Sequence, residues 1–175
     1  MKDKIIEHFV NADYDTMTNG LNWYIKAYNE AVLLSQVFDT KLEIVIGVIA
    51  ALSPRNKWAR NLADTWDLLD EPSMSTKCST FNGQKQKALD IINGAPIEET
   101  LKGRKTVNFF NNIMYHNSSM AVTVDVWAFR SVELEPKEKY YNEVETAYQD
   151  VAEELGLMPW QVQAVVWGVV RGKTA

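Results

Sequence analysis

The sequence predicts an all-α protein, because apolar residues recur at the spacing of an amphipathic helix along most of the chain. Two further observations support this class. No series of alternating apolar and polar residues is present, and the β-branched run 122–126 would have no strand to pair with. With 175 residues, of which 46% are hydrophobic and 23% charged, the chain can bury a core as a single domain over residues 1–175, with two lobes around a common cleft.

The helices are predicted from this spacing and from the residues that start and end them. They cover residues 2–10, 15–35, 41–52, 54–69, 82–93, 97–101, 106–115, 125–132, 140–155 and 159–171. Asp39 and Thr40 are expected to cap the helix at 41–52, which is apolar nearly all round and therefore central. Pro54 is expected in the first turn of the next helix. The apolar face of that helix is predicted to hold Trp58, Leu62, Trp66 and Leu69.

The composition excludes several classes of protein. A single cysteine, Cys78, allows no internal disulfide and cannot hold a site that needs four cysteines. His8 and His116 lie far apart with no carboxylate–histidine pattern beside them, so neither a metal nor a cofactor is predicted. No signal peptide is recognisable, and the apolar run 44–52 is too short to span a bilayer. The protein is therefore expected in the cytoplasm, without a membrane partner.

Charge is unevenly distributed along the chain. The formal net charge is −5, which argues against a general nucleic-acid binder. Residues 51–132 nevertheless hold ten Lys and Arg against eight Asp and Glu, and residues 101–124 contain no acid. Such a basic face is compatible with phosphate contacts of weak non-specific affinity, and ordinary surface charge is the alternative. The acidic residues of the helix at 140–155, among them Glu145, are expected to form a solvated face.

Four segments combine residue types that carry chemistry. The apolar segment 44–53 ends in a Leu-Ser step and is followed by the polar turn Pro-Arg-Asn-Lys at 54–57. A helix with a Lys-Ala step follows at 84–92, and the sequence Leu-Lys-Gly-Arg-Lys-Thr at 101–106 then enters another helix. The fourth segment, Val-Thr-Val-Asp at 122–125, opens the helix that contains Trp127.

In this order, the four segments resemble the helix-hairpin-helix DNA glycosylases of the endonuclease III and 8-oxoguanine glycosylase type. In that family, a buried helix ending in Leu-Ser leads into a loop that wedges into the duplex, and a glycine hairpin with a lysine precedes a catalytic aspartate. The resemblance covers residues 42–132, a glycosylase-like core with its hairpin at 101–106. The chain also resembles a family of small bacteriophage proteins through residues 51–55, 103–105, 122–125 and 163–167, a match that implies no particular activity.

The glycosylase resemblance implies a two-lobed helical fold and roles for particular residues. Asp125 is the expected catalytic carboxylate, which would stabilise the positive charge that develops on the sugar as the base leaves. Lys105 is the expected amine nucleophile, and it must be partly neutral to attack the anomeric carbon. The implied DNA contacts are Arg55, Asn56, Lys57, Lys102, Gly103 and Arg104, and the implied base pocket holds Trp58 and Trp127.

Each of these roles has a structural alternative. Asp125 is well placed to be only a helix N-cap, and Lys105 to be a solvated surface lysine. The turn at 55–57 has the composition of an ordinary polar loop, and the two tryptophans that of packing residues. The sequence also departs from the family pattern, since the hairpin has one glycine where two are usual and Trp127 stands where a histidine is usual.

Three functions are compatible with these observations. The first is a DNA N-glycosylase, with or without AP-lyase activity, that acts on a flipped-out base, including a modified one. The second is a transferase on the same scaffold that hypermodifies a base in phage DNA. The third is a non-catalytic module that binds DNA or a protein. For a phage-encoded protein, the expected compartment is the host cytoplasm.

Overall fold

The computed structural model describes residues 1–172, and its regular structure is helical throughout this range. The helices are α1 (Lys2–Val10), α2 (Tyr14–Val37), α3 (Leu42–Leu52), α4 (Trp58–Asp70), α5 (Asn82–Ile92), α6 (Ile97–Thr100), α7 (Arg104–Met114), α8 (Val126–Ser131), α9 (Tyr141–Leu155) and α10 (Pro159–Gly172), with a 3₁₀ turn at Glu138–Tyr140. The predicted all-α class is confirmed. None of these helices is long and apolar enough to cross a membrane.

The chain forms two compact units. The terminal unit contains residues 1–26 and the described residues from Tyr115 onward, and the middle unit contains residues 27–114. The segment 42–132, which the glycosylase resemblance covers, is therefore divided between the two units.

The terminal unit is built around α9 and α10, which pack on each other and on α1, while α8 packs on α10. Helices α2 and α10 approach each other closely at two glycines. A Cβ on Gly20 would lie 2.6 Å from the backbone of Val165, and one on Gly168 would lie 2.8 Å from the side chain of Thr16. The backbone of Val165 cannot move aside cheaply, so the approach at Gly20 requires glycine, whereas at Gly168 the methyl group of Thr16 would have to shift.

The middle unit is built around α3, as its all-apolar sequence predicts. Val45 and the seven residues that follow it are all buried, and α4, α5 and α7 pack against this helix. The prediction of a central helix at this position is confirmed.

The predicted cap of α3 is wrong. The N-cap residue is Lys41, which makes no side-chain capping bond. Asp39 and Thr40 instead complete the turn after α2: the backbone N–H of Thr40 donates to the carbonyl of Ser35 at 3.0 Å, and its hydroxyl donates to the carbonyl of Phe38 at 3.1 Å. These residues serve the C-terminus of α2, where carbonyl groups lack helical partners.

Two predictions for α4 are also wrong. The helix begins at Trp58, because residues 53–57 form a turn, so Pro54 lies outside it. Its buried face is mainly polar and consists of Asn61, Asp64, Thr65 and Leu68, whereas Trp66 is 45% exposed. The amide of Asn61 donates to the carbonyl of Ile49 at 2.9 Å and accepts from the hydroxyl of Thr65 at 3.2 Å. Paired in this way, polar groups can be buried at little cost.

Candidate active site

The turn between α3 and α4 presents two cations. Arg55 and Lys57 are both exposed. Arg55 has a φ of 54°, in the left-handed region that residues other than glycine rarely adopt. The backbone N–H of Asn56 donates to the carbonyl of Ser53 at 3.1 Å and closes the turn. The turn is thus a defined structure rather than a loose loop, and it holds Arg55 in an unfavourable backbone conformation.

Asn56 organises the same turn from inside. Its Nδ2 donates to the carbonyl of Leu52 at 3.1 Å and to Oδ2 of Asp64 at 3.0 Å, which uses both amide hydrogens. Its Oδ1 is buried and has no hydrogen-bond partner among residues 1–172. Asp64 also accepts from the backbone N–H of Ser79 at 3.0 Å and so ties the turn to the loop before α5. These bonds give Asn56 a structural role, and its predicted DNA contact stays a prediction.

A groove of about 300 Å³ lies beside this turn. It is lined by Pro54, Arg55, Cys78, Ser79, Thr80 and Phe81. The ring of Phe81 is 61% exposed. Burial raises the pKa of the Cys78 thiol, and the carboxylate of Asp64 raises it further. The sequence did not predict the groove, because the loop that forms its second wall has no periodic pattern.

The predicted hairpin joins the short helix α6 to α7. Leu101 is buried and anchors it, whereas Lys102, Gly103, Arg104 and Lys105 are all exposed. Helix α7 begins at Arg104, two residues before its predicted start, so Lys105 lies in its first turn. A helix N-terminus carries partial positive charge, and three exposed cations surround this one. The hairpin is therefore suited to bind a phosphate, while burial does not desolvate the Lys105 amine.

Trp58 has a packing role within the middle unit. Its indole N–H donates to Oε2 of Glu30 at 2.9 Å, which links α4 to α2. Its ring meets that of Phe109 edge to face, with ring centroids 6.4 Å apart, which links α4 to α7. These bonds favour the packing interpretation of Trp58 over a base-pocket role.

Asp125 is the N-cap of α8 in the terminal unit. Its Oδ1 accepts from the backbone N–H of Ala128 at 2.9 Å, and its own carbonyl accepts from Phe129 N–H at 3.1 Å. The capping interpretation is therefore confirmed. Asp125 and Trp127 are both half-buried. Trp127 packs against the core of the terminal unit, and the centroid of its ring lies 4.6 Å from Cζ of Arg130.

The backbone that precedes Asp125 bonds to side chains of α9. The backbone N–H of Val122 donates to Oε2 of Glu145 at 2.9 Å. The hydroxyl of Tyr141 donates to the carbonyl of Val122 at 2.8 Å and accepts from the N–H of Val124 at 3.2 Å. Buried backbone groups need such partners, and α9 supplies what a neighbouring strand would supply in a sheet.

The prediction that Glu145 is solvated is wrong, since only 9% of it is exposed. One pattern in the sequence does indicate this burial. Tyr141, Glu145 and Tyr148 fall at positions i, i+4 and i+7 of α9, which is one face of a helix. Polar side chains on a face that also carries Val144 and Val151 indicate buried hydrogen bonds rather than solvent.

The structure thus divides the predicted site residues into two groups. The turn at 55–57, Trp58 and the hairpin at 102–105 belong to the middle unit, and Asp125 and Trp127 to the terminal unit. Within residues 1–172, no three His, Cys, Asp or Glu side chains are arranged to hold a metal ion.

These features define an all-α protein with an exposed basic hairpin and a half-buried carboxylate at the start of a helix. Residues 1–174 match DUF7178, a family of unknown function, and the chain belongs to this family. Neither a curated protein nor a solved structure is significantly similar to the chain.

Proposed function

We propose that the chain is a DNA N-glycosylase that removes a flipped-out base, with Asp125 as its catalytic carboxylate. The placement of Asp125 carries this proposal. The carboxylate is half-buried, and the Ala128 N–H holds its Oδ1 at 2.9 Å. A carboxylate that is already oriented stabilises developing charge without reorganisation, which is the main source of electrostatic catalysis.

In this reaction, the Asp125 carboxylate has one role. As the glycosidic bond breaks, its electron pair leaves with the base, which takes up a proton, and positive charge develops on the sugar. Water then adds to the anomeric carbon and loses a proton. The Asp125 carboxylate stabilises the cationic sugar, and its partial burial strengthens this attraction relative to bulk water.

The exposed cations support DNA as the substrate. Lys102, Arg104 and Lys105 surround the N-terminus of α7, where a phosphate is favoured. Arg55 and Lys57 add a second basic site in the same unit. The whole chain has a net charge of −5, so these groups give local contacts of modest affinity rather than strong general binding.

We assign base release to Asp125 and treat lyase activity as a separate question. Attack by the Lys105 amine would give a Schiff base, which borohydride traps. Lys105 is exposed, and a lysine acts as a nucleophile only through its neutral amine, which desolvation favours. The lyase step therefore depends on DNA itself excluding water from Lys105.

The test uses oligonucleotides that carry single modified bases, including phage-type pyrimidines. We expect the wild-type protein to produce alkali-labile sites on at least one substrate, and Asp125→Asn to lower that rate by about 100-fold or more. A borohydride adduct that disappears in Lys105→Ala would add the lyase step. No alkali-labile site on any substrate would contradict base excision.

Mass spectrometry of the digested nucleosides separates the other functions. A transferase would increase the mass of one nucleoside without loss of its base. A binding module would change no nucleoside, and its DNA affinity would survive Asp125→Asn.

A further inference from the structure

We propose that Tyr141 and Glu145 of α9 are positioning residues for Asp125, because they hold the backbone of residues 122–124 in one conformation. The consequence for catalysis rests on the proposed function. The structural part does not, and it can be measured on the protein alone.

Three buried backbone groups carry the inference. The N–H and carbonyl of Val122 and the N–H of Val124 all bond to Tyr141 or Glu145, at 2.8 to 3.2 Å. Val122 is 0% exposed and Val124 is 2% exposed, so water cannot replace these partners. Tyr141 uses its hydroxyl as donor and acceptor at once, which fixes residues 122 and 124 relative to each other.

These bonds restrain Asp125 from its N-terminal side. Val124 directly precedes Asp125, whose own backbone is extended, with φ −94° and ψ −176°. The Ala128 N–H restrains the carboxylate from the C-terminal side. If the segment 122–124 lost these hydrogen bonds, the backbone of Asp125 would become more mobile. Its side chain would then bond to the Ala128 N–H for a smaller fraction of the time.

The contacts form a series along one face of α9. Gln149 continues the positions of Tyr141 and Glu145, and its amide donates to the carbonyl of Met120 at 2.8 Å. Tyr148, which lies between Glu145 and Gln149 in the sequence, bonds to Ser131 at the end of α8. Helix α9 therefore bonds to both ends of the segment 120–131. Its Tyr141 bonds to Val122 and Val124, and its Glu145 bonds to Val122.

Four variants separate positioning from a general loss of stability. Tyr141→Phe removes the hydroxyl and keeps the ring, and Glu145→Leu removes the acceptor for Val122. Glu145→Gln keeps an acceptor oxygen without the charge. Tyr24→Phe is the matched control, since it deletes another buried hydroxyl in the same unit, one that donates to Gln163. All four are first shown to be folded by circular dichroism.

The structural measurement is amide hydrogen exchange at Ala128, followed by NMR in the full chain. We expect exchange to be about tenfold faster in Tyr141→Phe and Glu145→Leu, which corresponds to the loss of about one hydrogen bond. Glu145→Gln and Tyr24→Phe should match the wild type. Wild-type exchange at Ala128 in both folded variants, Tyr141→Phe and Glu145→Leu, would overturn the proposal.

The catalytic measurement is base release on the substrate that the wild type cleaves. We expect kcat to fall by about tenfold or more in Tyr141→Phe and Glu145→Leu with KM unchanged, since only the reacting geometry is disturbed. Glu145→Gln should restore the rate. An equal loss of kcat in Tyr24→Phe would overturn the positioning role. If the wild type releases no base, the proposed function fails, while the exchange at Ala128 still decides whether Asp125 is positioned by α9.

Discussion

The hydroxyl of Tyr148 lies 2.6 Å from Oγ of Ser131 and donates to it. The direction follows from the proton inventory: Ser131 spends its single hydroxyl proton on the carbonyl of Ala128, also at 2.6 Å, and so can only accept from Tyr148. Ala128 in turn donates its N–H to Asp125. Two residues of α8, Ser131 and Ala128, thus connect a fully buried phenol to the candidate catalytic carboxylate.

This arrangement predicts how the protein responds to alkali. Burial raises the pKa of Tyr148, and the negative charge of Asp125 raises it further. In the unfolded chain the phenol ionises near pH 10. Above that pH the unfolded state loses this proton and the folded state keeps it, so the free energy of unfolding falls as pH rises.

We therefore expect Tyr148→Phe to remove part of the alkaline loss of stability. Between pH 10 and 12 the wild type should lose up to about 1.4 kcal/mol per pH unit more than the variant. Urea unfolding at several pH values measures this difference. Tyr14→Phe is the control, because Tyr14 is 82% exposed, and it should behave as the wild type does. Parallel curves for wild type and Tyr148→Phe would contradict the prediction.

The space around two glycines, one facing α10 and one exposed in α5, predicts opposite effects for their substitution by alanine. Gly20→Ala places a methyl group 2.6 Å from the backbone of Val165, and we expect it to destabilise the protein by about 1–3 kcal/mol. Gly83→Ala in α5 meets nothing within 4 Å and should stabilise by about 0.5 kcal/mol through its helix propensity. Chemical denaturation compares the two. A neutral Gly20→Ala would show that α2 and α10 can separate without cost.

The backbone of Arg55 predicts a similar contrast between two arginines. Arg55→Gly removes a side chain from a left-handed residue, so we expect it to raise the free energy of unfolding by up to about 1 kcal/mol. Arg60→Gly lies within α4 and should lower it by about 1 kcal/mol. Denaturant unfolding distinguishes the two signs, and equal losses in both variants would contradict the assignment of strain to Arg55.

The same Arg55→Gly variant also tests the DNA contact. If Arg55 binds a phosphate, the slope of log affinity against log salt should become shallower by about 1. Fluorescence anisotropy with a labelled duplex at several salt concentrations measures the slope. An unchanged slope would assign Arg55 to the turn alone.

Helix content was predictable because apolar spacing reports burial directly. Helix α3 is buried from Val45 to its end, and its apolar sequence predicted this. The polar face of α4 was not predictable in this way, because Asn61 and Thr65 are buried through hydrogen bonds to each other and to Ile49. Apolar spacing does not detect such hydrogen-bonded pairs, so it predicted a buried face that includes Trp66 instead.

The candidate site was predictable only in part for a related reason. The capping position of Asp125 follows from local sequence, since a carboxylate before an apolar helix is a common N-cap. Its support by α9 depends on residues 16 and 20 positions later in the chain, Tyr141 and Glu145. The left-handed backbone at Arg55 likewise has no sequence signal, because arginine has no preference for that conformation.

The environment of Cys78 predicts slow thiol chemistry. Because burial and the charge of Asp64 raise its pKa, less thiolate is present at a given pH than in a free cysteine. We expect reaction with a disulfide reagent at pH 8 to be slower in the folded protein than in urea, and its rate–pH profile to be displaced upward. Cys78 is the single cysteine of the sequence, so the signal is unambiguous. Coincident folded and unfolded profiles would contradict the raised pKa.

Two substitutions of Asp125 separate its two roles. Asp125→Asn keeps an oxygen that accepts from the Ala128 N–H, so we expect the free energy of unfolding to change by less than about 0.5 kcal/mol. Asp125→Ala loses the cap and should cost about 1 kcal/mol. Both remove the carboxylate charge and should abolish base release to a similar degree. Denaturant unfolding and base release are measured on the same preparations. If the Asp125→Asn variant releases base and the Asp125→Ala variant does not, the rate of base release follows the stability of the variants. That result would show that Asp125 acts as a cap and not as the catalytic carboxylate.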